Sequence, residues 1–241
     1  EKMLYDNAQL ASLYGEASVV FKDKRYEEIA NNTLDFIISE MRDKEGGFYS
    51  SFDADSPDGE GSFYLWSYDE LINIAGENEG SLLAILLGIS PEGNFAEKNI
   101  VTRRVDPKDL TLRFKKESFE IEDLLKKWFP ILKDYRAKRT KPTFDKKIIT
   151  SWNGLTIAAL AQGYLIFGYE RYKDAAIQAA NFIWGKHLRP DGRLFRSSDE
   201  GFPGKEAVLD DYAYLAYGFI ELYQATGDAI YIQRAIDLTN Q

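Results

Sequence analysis

The sequence predicts a mainly α fold of repeated helical hairpins, and three observations predict it. Apolar residues recur at helical spacing through most of the chain. Short polar turns such as Phe21–Arg25 and Ala225–Asp228 join the periodic segments in antiparallel pairs. The pairs then repeat. Arg25–Asp53 slides onto Arg171–Asp199 without a gap, a shift of 146 residues that matches Arg25-Tyr26 with Arg171-Tyr172, Gly46 with Gly192 and Asp53 with Asp199. A third copy lies a further 59 residues on, matching Tyr164 with Tyr223, Gly168 with Gly227 and Tyr172 with Tyr231. One such unit buries too little surface to stand alone, whereas several stack into an arc or a closed ring.

Element by element, Leu10, Leu13, Tyr14, Ala17 and Val20 or Phe21 mark a first helix, and Ile29, Thr33, Phe36, Ile37 and Met41 its partner. Together they make a hairpin over 1–45. The loop 46–67 alternates apolar and polar residues on either side of Pro57-Asp58-Gly59, which reads as a β-hairpin. The middle, 68–149, is irregular. Short helices are expected at Tyr68–Ile74 and Ser81–Leu87, an extended excursion at Asn94–Val105, and a charged, solvent-facing helix over Lys116–Lys138. The basic run Arg136–Lys141 reads as a solvated linker. Hairpins follow at 150–189 and 208–241. The first helix of the former is apolar nearly all round (Leu155, Ala158, Ala159, Gln162, Ile166, Phe167), which implies burial on both sides. The whole is read as one domain, 1–241.

Composition narrows the function. The chain has 241 residues, 44% of them apolar, and a formal net charge of −9, which excludes disorder and argues against a nucleic-acid partner. Cysteine is absent, so disulfides, thiol nucleophiles and zinc ribbons are excluded, and a reducing, cytoplasmic setting fits. The single histidine, His187, rules out a two-histidine metal site. The most apolar stretch, Gly154–Tyr169, is too short to span a bilayer, so no membrane association is expected. Both ends look cut, as in a piece of a longer protein.

The repeat also says where a site belongs. In consecutive antiparallel hairpins every first helix starts at the same end, and the loops after the second helices return there. Asp6-Asn7, Trp152-Asn153 and Asp211-Tyr212 align at that rim. The long loop adds Tyr49, Asp53, Asp55 and Trp66.

The motifs Glu1-Lys-Met-Leu-Tyr-Asp-Asn-Ala-Gln-Leu10, Asp53-Ala-Asp-Ser56, Glu60-Gly-Ser-Phe-Tyr-Leu-Trp66, Lys147-Ile-Ile-Thr-Ser-Trp-Asn-Gly-Leu155 and Leu209-Asp-Asp-Tyr212 together resemble the YyaL-like, spermatogenesis-associated thioredoxin-domain family. The resemblance runs to about Leu238. It implies an α/α toroid similar to six-hairpin glycosidases and N-acylglucosamine 2-epimerases, here an incomplete ring, with a thioredoxin-like domain in the longer parent protein. It implies a carbohydrate ligand and a poorly defined activity. The sequence departs from the family pattern at Phe52 and Lys146, where acidic residues are expected.

On that basis the candidate catalytic acids are Asp53 or Asp55 facing Asp6 or Asp211, as glycoside hydrolysis needs two carboxyls across one bond. Tyr49, Trp66, Trp152 and Tyr212 would stack on sugar faces, with Asn7, Asn153 and Asp210 binding hydroxyls. A second role stands beside each. Asp6, Asp210 and Asp211 occupy helix N-cap positions, Asp53-x-Asp55 can shape a turn, and Trp66 and Trp152 can be core. A hydrolase-like or sugar-isomerising enzyme and a non-catalytic toroid that binds a sugar or a protein therefore both remain open. No cofactor is expected and no metal: Pro57 and Tyr64 break the calcium-loop spacing. His187, near the end of a second helix, is expected at the rear of the ring as a helix C-terminal cation.

Overall fold

The computed structural model describes residues 1–102 and 117–241. It divides into two compact units, Glu1–Asp53 with Phe144–Gln241, and Ala54–Thr143. The last residues of the Asn94–Val105 excursion and the first of the Lys116–Lys138 helix lie outside the described residues.

The first unit is three helical hairpins. They are α1 (Leu4–Phe21) with α2 (Lys24–Glu40), α5 (Thr150–Phe167) with α6 (Glu170–His187), and α7 (Leu209–Thr226) with α8 (Ala229–Thr239). Helix α5 packs between α1 and α7, which is why it is apolar all round. Ile157, Leu160 and Ala161 on it are completely buried. Each second helix presents a narrower apolar face, Leu34 and Ile37 on α2, Tyr172 and Ile183 on α6, Tyr231 and Leu238 on α8. The turns repeat as well. Gly168 (φ 73°) and Gly227 (φ 69°) end α5 and α7 in the left-handed conformation, each donating its N–H to the Tyr carbonyl four residues back.

At the 146-residue shift the hairpins agree hydrogen bond by hydrogen bond. Strand β1 (Lys2–Met3) pairs with β2 (Ser51–Phe52) in the register Lys2↔Phe52, and β4 (Ile148–Ile149) pairs with β5 (Ser197–Asp199) as Ile148↔Ser198. Leu4 N–H donates to Ser50 C=O at 2.9 Å, and Thr150 N–H to Arg196 C=O at 2.9 Å. Asp43 bonds Gly47, and Arg189 bonds Arg193, both at 2.7 Å. The second-helix loops thus close over the first-helix N-termini, as the repeat predicts.

The strands of the long loop differ from the hairpin expected around Pro57-Asp58-Gly59. β2 pairs with β1 and with β3 (Phe144–Asp145), while 56–64 is a run of turns. Two glycines with positive φ, Gly59 at 105° and Gly61 at 67°, coil this segment, so its alternation does not become a ladder. In the second repeat β5 pairs with β6 (Phe202–Pro203) across Glu200-Gly201 alone. The second unit, Ala54–Thr143, is therefore an insertion between β2 and β3, at the place where the repeat has a two-residue turn.

That unit has its own core. Helix α3 (Tyr68–Leu86), broken at Gly76 (φ 75°), packs Leu71 and Leu83 with Ile121, Leu125 and Trp128 of α4 (Ser118–Ala137). The expectation of a merely solvent-facing helix over 116–138 is corrected. Positions 121, 125, 128 and 132 form a buried stripe beneath the charges. The basic run is corrected too. Arg139 donates to the Phe63 and Leu65 carbonyls at 3.0 and 2.7 Å, pairs with Glu70 at 2.7 Å, and lies 4.1 Å over the Trp66 ring.

Candidate functional site

The rim of the first unit forms because helix starts and return loops meet there, and its buried polar residues hold backbone. Asn153 is fully buried. Its amide accepts from Phe48 N–H at 2.8 Å and donates to the Phe48 and Ile149 carbonyls, each at 2.9 Å. It replaces a missing strand for Phe48: both amide N–H groups and one oxygen lone pair are engaged, and the side chain is closed off from solvent. Tyr212 stands at the matching place in the third repeat. Its hydroxyl accepts from Leu194 N–H at 3.0 Å, and Leu194 matches Phe48. Asn7 is half-buried and donates to Met3 C=O at 2.7 Å.

Asp211 is completely buried. One oxygen accepts from Ser151 N–H at 3.1 Å and the other from Val208 N–H at 3.0 Å, so it caps its own helix and ties the start of α5 to the start of α7. Asp6 and Asp210 sit exposed in first turns, where a negative charge favours the helix. Asp53 is exposed just beyond β2. Trp152 is half-buried against the core with the Tyr5 ring 4.8 Å away. Asp55 and Trp66 belong to the second unit, where Asp55 is exposed and Trp66 is buried beneath Arg139.

His187 overturns its expectation. It is completely buried, and its Nδ1 lies 2.7 Å from Thr150 Oγ1, at the first residue of α5. The end of a second helix meets the start of a first helix, so His187 is at the rim and not the rear. Burial pushes its pKa down to about 4, so it is neutral, not a cation. Thr150 Oγ1 also lies 2.6 Å from Phe195 C=O, which can only accept. The threonine proton goes there, Nδ1–H donates to Thr150, and Nε2 accepts from Ser198 Oγ at 2.9 Å.

Ser198 opens onto a cleft of about 410 Å3 between the first and second hairpin loops. Its floor is Ile148 and Phe182, and Lys44, Lys146 and Lys186 stand around it. Tyr49 lines the same cleft and donates a short hydrogen bond to Asp43. Burial first, then Asp43, pushes the Tyr49 pKa up to about 12. Of the residues nominated from sequence, Tyr49 alone lines this cleft. The lysines carried no motif, and only Lys146 was marked, as a departure from the family pattern.

No family model matches the chain. Among curated proteins, human spermatogenesis-associated protein 20 is 29% identical over 99% of this chain and 35% of its own length. The rat protein of that name is 30% identical over 99% of the chain and 34% of its own length. This chain is a homologue of spermatogenesis-associated protein 20. It spans about a third of the length of these homologues. Among solved structures, the cellobiose 2-epimerase of Bacillus thermoamylovorans B4167 superposes with a TM-score of 0.58 at 11% identity, over 100% of this chain and 43% of that one. That likeness shows the fold, the α/α toroid that the homologues' resemblance implied. Among the described residues no helix is long and apolar enough to cross a membrane.

Proposed function

We propose that this chain is the rim-bearing part of a carbohydrate-binding helical toroid. The observation that carries the reading is a cleft of about 410 Å3 at the rim, on a fold shared with a cellobiose 2-epimerase. Its size falls in the range of small-molecule sites. An aromatic floor beside hydroxyl and amine groups suits a sugar, which offers one apolar face and many hydroxyls.

Binding is favoured over hydrolysis for this stretch of chain. A hydrolase needs two carboxyls free to face one glycosidic bond, and both oxygens of Asp211 hold backbone N–H groups. A hydrolase-like reading would rest on Asp6 and Asp53.

Saturation-transfer NMR against a panel of mono- and disaccharides tests the proposal. Transfer to at least one sugar is expected, with loss in Tyr49→Ala and retention in Asp6→Asn. Silence across the panel from protein with an intact thermal transition would overturn it.

A further inference from the structure

We propose that the rim cleft takes an uncharged sugar and selects it by its hydroxyl protons, because Ser198 Oγ and Tyr49 Oη line the cleft as hydrogen-bond acceptors only. The inference rests on the carbohydrate reading and adds how the site chooses among sugars.

A buried relay fixes the direction at Ser198. The Phe195 carbonyl can only accept, so the Thr150 hydroxyl donates to it at 2.6 Å. Thr150 Oγ1 then accepts from His187 Nδ1, 2.7 Å away. The neutral ring has one proton, so Nε2 is a bare lone pair and takes the Ser198 proton at 2.9 Å. Ser198 Oγ is left with lone pairs. Tyr49 reaches the same state in one step, by donating its proton to Asp43. Among the described residues no other donor reaches either oxygen.

The fold does not require this relay. At the 146-residue shift Thr150, His187 and Ser198 fall on Leu4, Met41 and Phe52, which fill the same places of the first repeat with hydrocarbon. A chain of buried hydrogen bonds carries a desolvation cost that hydrocarbon does not. What it delivers is an oriented oxygen at the cleft wall, since its last member, Ser198, lines the cleft.

Charge offers no competing selection. The lining acids Asp43, Glu45 and Glu200 balance the lining lysines Lys44, Lys146 and Lys186. A ligand therefore gains by bringing donors to the two oxygens, which a hydroxyl does and an ether, a fluorine or a carboxylate does not.

Two measurements test this. Long-range proton–nitrogen NMR spectra of the full chain at neutral pH report the tautomer without ambiguity, because His187 is the only histidine. The proton is expected on Nδ1. A proton on Nε2 would free the Ser198 hydroxyl to donate and would overturn the proposal. Calorimetric titration then compares glucose, galactose and mannose, each beside the analogues in which one hydroxyl is replaced by fluorine, which cannot donate. For a sugar that binds, fluorination at one or two positions should weaken binding about tenfold, the loss of a hydrogen bond to a shielded acceptor. Fluorination elsewhere on the ring should change little. Ser198→Ala should erase the penalty at one of those positions and Tyr49→Phe at the other. Equal binding of a sugar and all its fluorinated analogues would overturn the donor selection and leave the carbohydrate reading standing, and that comparison needs no variant to fold. Penalties that survive both variants would overturn the location. Silence from these sugars and from the saturation-transfer panel would overturn the carbohydrate reading itself, and this selection with it.

Discussion

The first and second hairpin repeats share a backbone frame and differ in the side-chain chemistry they place at the rim. Phe48 and Leu194 occupy the same place, both fully buried, each after a second helix and a positive-φ glycine, Gly46 at 113° and Gly192 at 85°. Phe48 is held at both backbone groups by the Asn153 amide, Leu194 at one by the Tyr212 hydroxyl. Met41 fills with hydrocarbon the site that His187 fills with a polar relay. The loop after the first repeat's second helix lines an open cleft shared with the second repeat, whereas the matching loop of the second repeat pairs its arginines with Asp191 and Glu206. The frame is set by helix ends and strand register, and the side chains were free to diverge on it.

The largest expected effect lies in the clamps that differ. Asn153→Ala strands a buried N–H and C=O at Phe48, and should cost about 4 kcal/mol, at one to three for each unsatisfied group. Tyr212→Phe removes one acceptor from Leu194 and should cost about 1 kcal/mol. Urea denaturation of the two variants checks the ratio. Equal costs would mean that the clamps are equivalent despite their chemistry.

The seams between hairpins come next. A Cβ on Gly154 would sit 2.4 Å from the Tyr214 carbonyl oxygen, and one on Gly218 2.5 Å from that of Gly154. Helices α5 and α7 therefore touch backbone to backbone. On the α1 side a Cβ on Gly15 would meet the end of the Ile166 side chain at 3.3 Å, which can rotate away. Gly154→Ala should destabilise by about 3 kcal/mol and Gly15→Ala by less than about 1 kcal/mol, since backbone cannot yield as a side chain can. Chemical denaturation under one set of conditions compares them.

The His187–Met41 difference predicts a pH signature. His187 is protonated in the unfolded chain below about 6.5 but in the folded chain only below about 4. As pH falls between these values the unfolded state takes up a proton that the folded state refuses, so stability drops, by roughly 3 kcal/mol in total. His187→Met should remove this part of the slope while keeping the part due to carboxylates. Stability measured from pH 8 to pH 4 in both proteins isolates the difference, and parallel curves would refute the assignment.

The sequence made the frame legible and the site much less so. The shift that aligns Arg25-Tyr26 with Arg171-Tyr172 also aligns strand registers and hairpin hydrogen bonds, because backbone pairing follows chain position. Asn153 and Asp211 read as site residues in the sequence and fasten backbone in the structure. An amide or carboxylate at a helix start looks the same in sequence whether its partner is a ligand or a neighbouring N–H. For Asp211 one partner, Val208, is three residues away, a short-range capping signal. The other, Ser151, is visible only in three dimensions. His187 lies at the rim because the second helix of an antiparallel hairpin ends where the first helices begin. The cleft lysines come from three separate stretches, at 44, 146 and 186, and no local pattern marks such a gathering.

The smallest expected loss of stability tests the comparison most directly. β2 and β3 are joined by Asp53–Thr143, whereas β5 and β6 are joined by Glu200-Gly201. Gly201 at φ 84° supplies the turn for which a glycine is suited. Phe52 stacks on Phe144 with ring centroids 4.2 Å apart, so the strand pair has its own apolar contact at the point of insertion. Replacing Asp53–Thr143 by Glu-Gly, so that Phe52 and Phe144 flank a two-residue turn as Asp199 and Phe202 do, should therefore leave the three hairpins folded, with the His187 pH signature retained and no loss of stability, since logarithmic closure entropy favours the shorter connection by at most about 3 kcal/mol. Circular dichroism and stability measured from pH 8 to pH 4 would read this out. A shortened protein that unfolds or loses the signature would make Ala54–Thr143 an integral part of the first unit's fold, and the resemblance between the two strand pairs would then stop at their register.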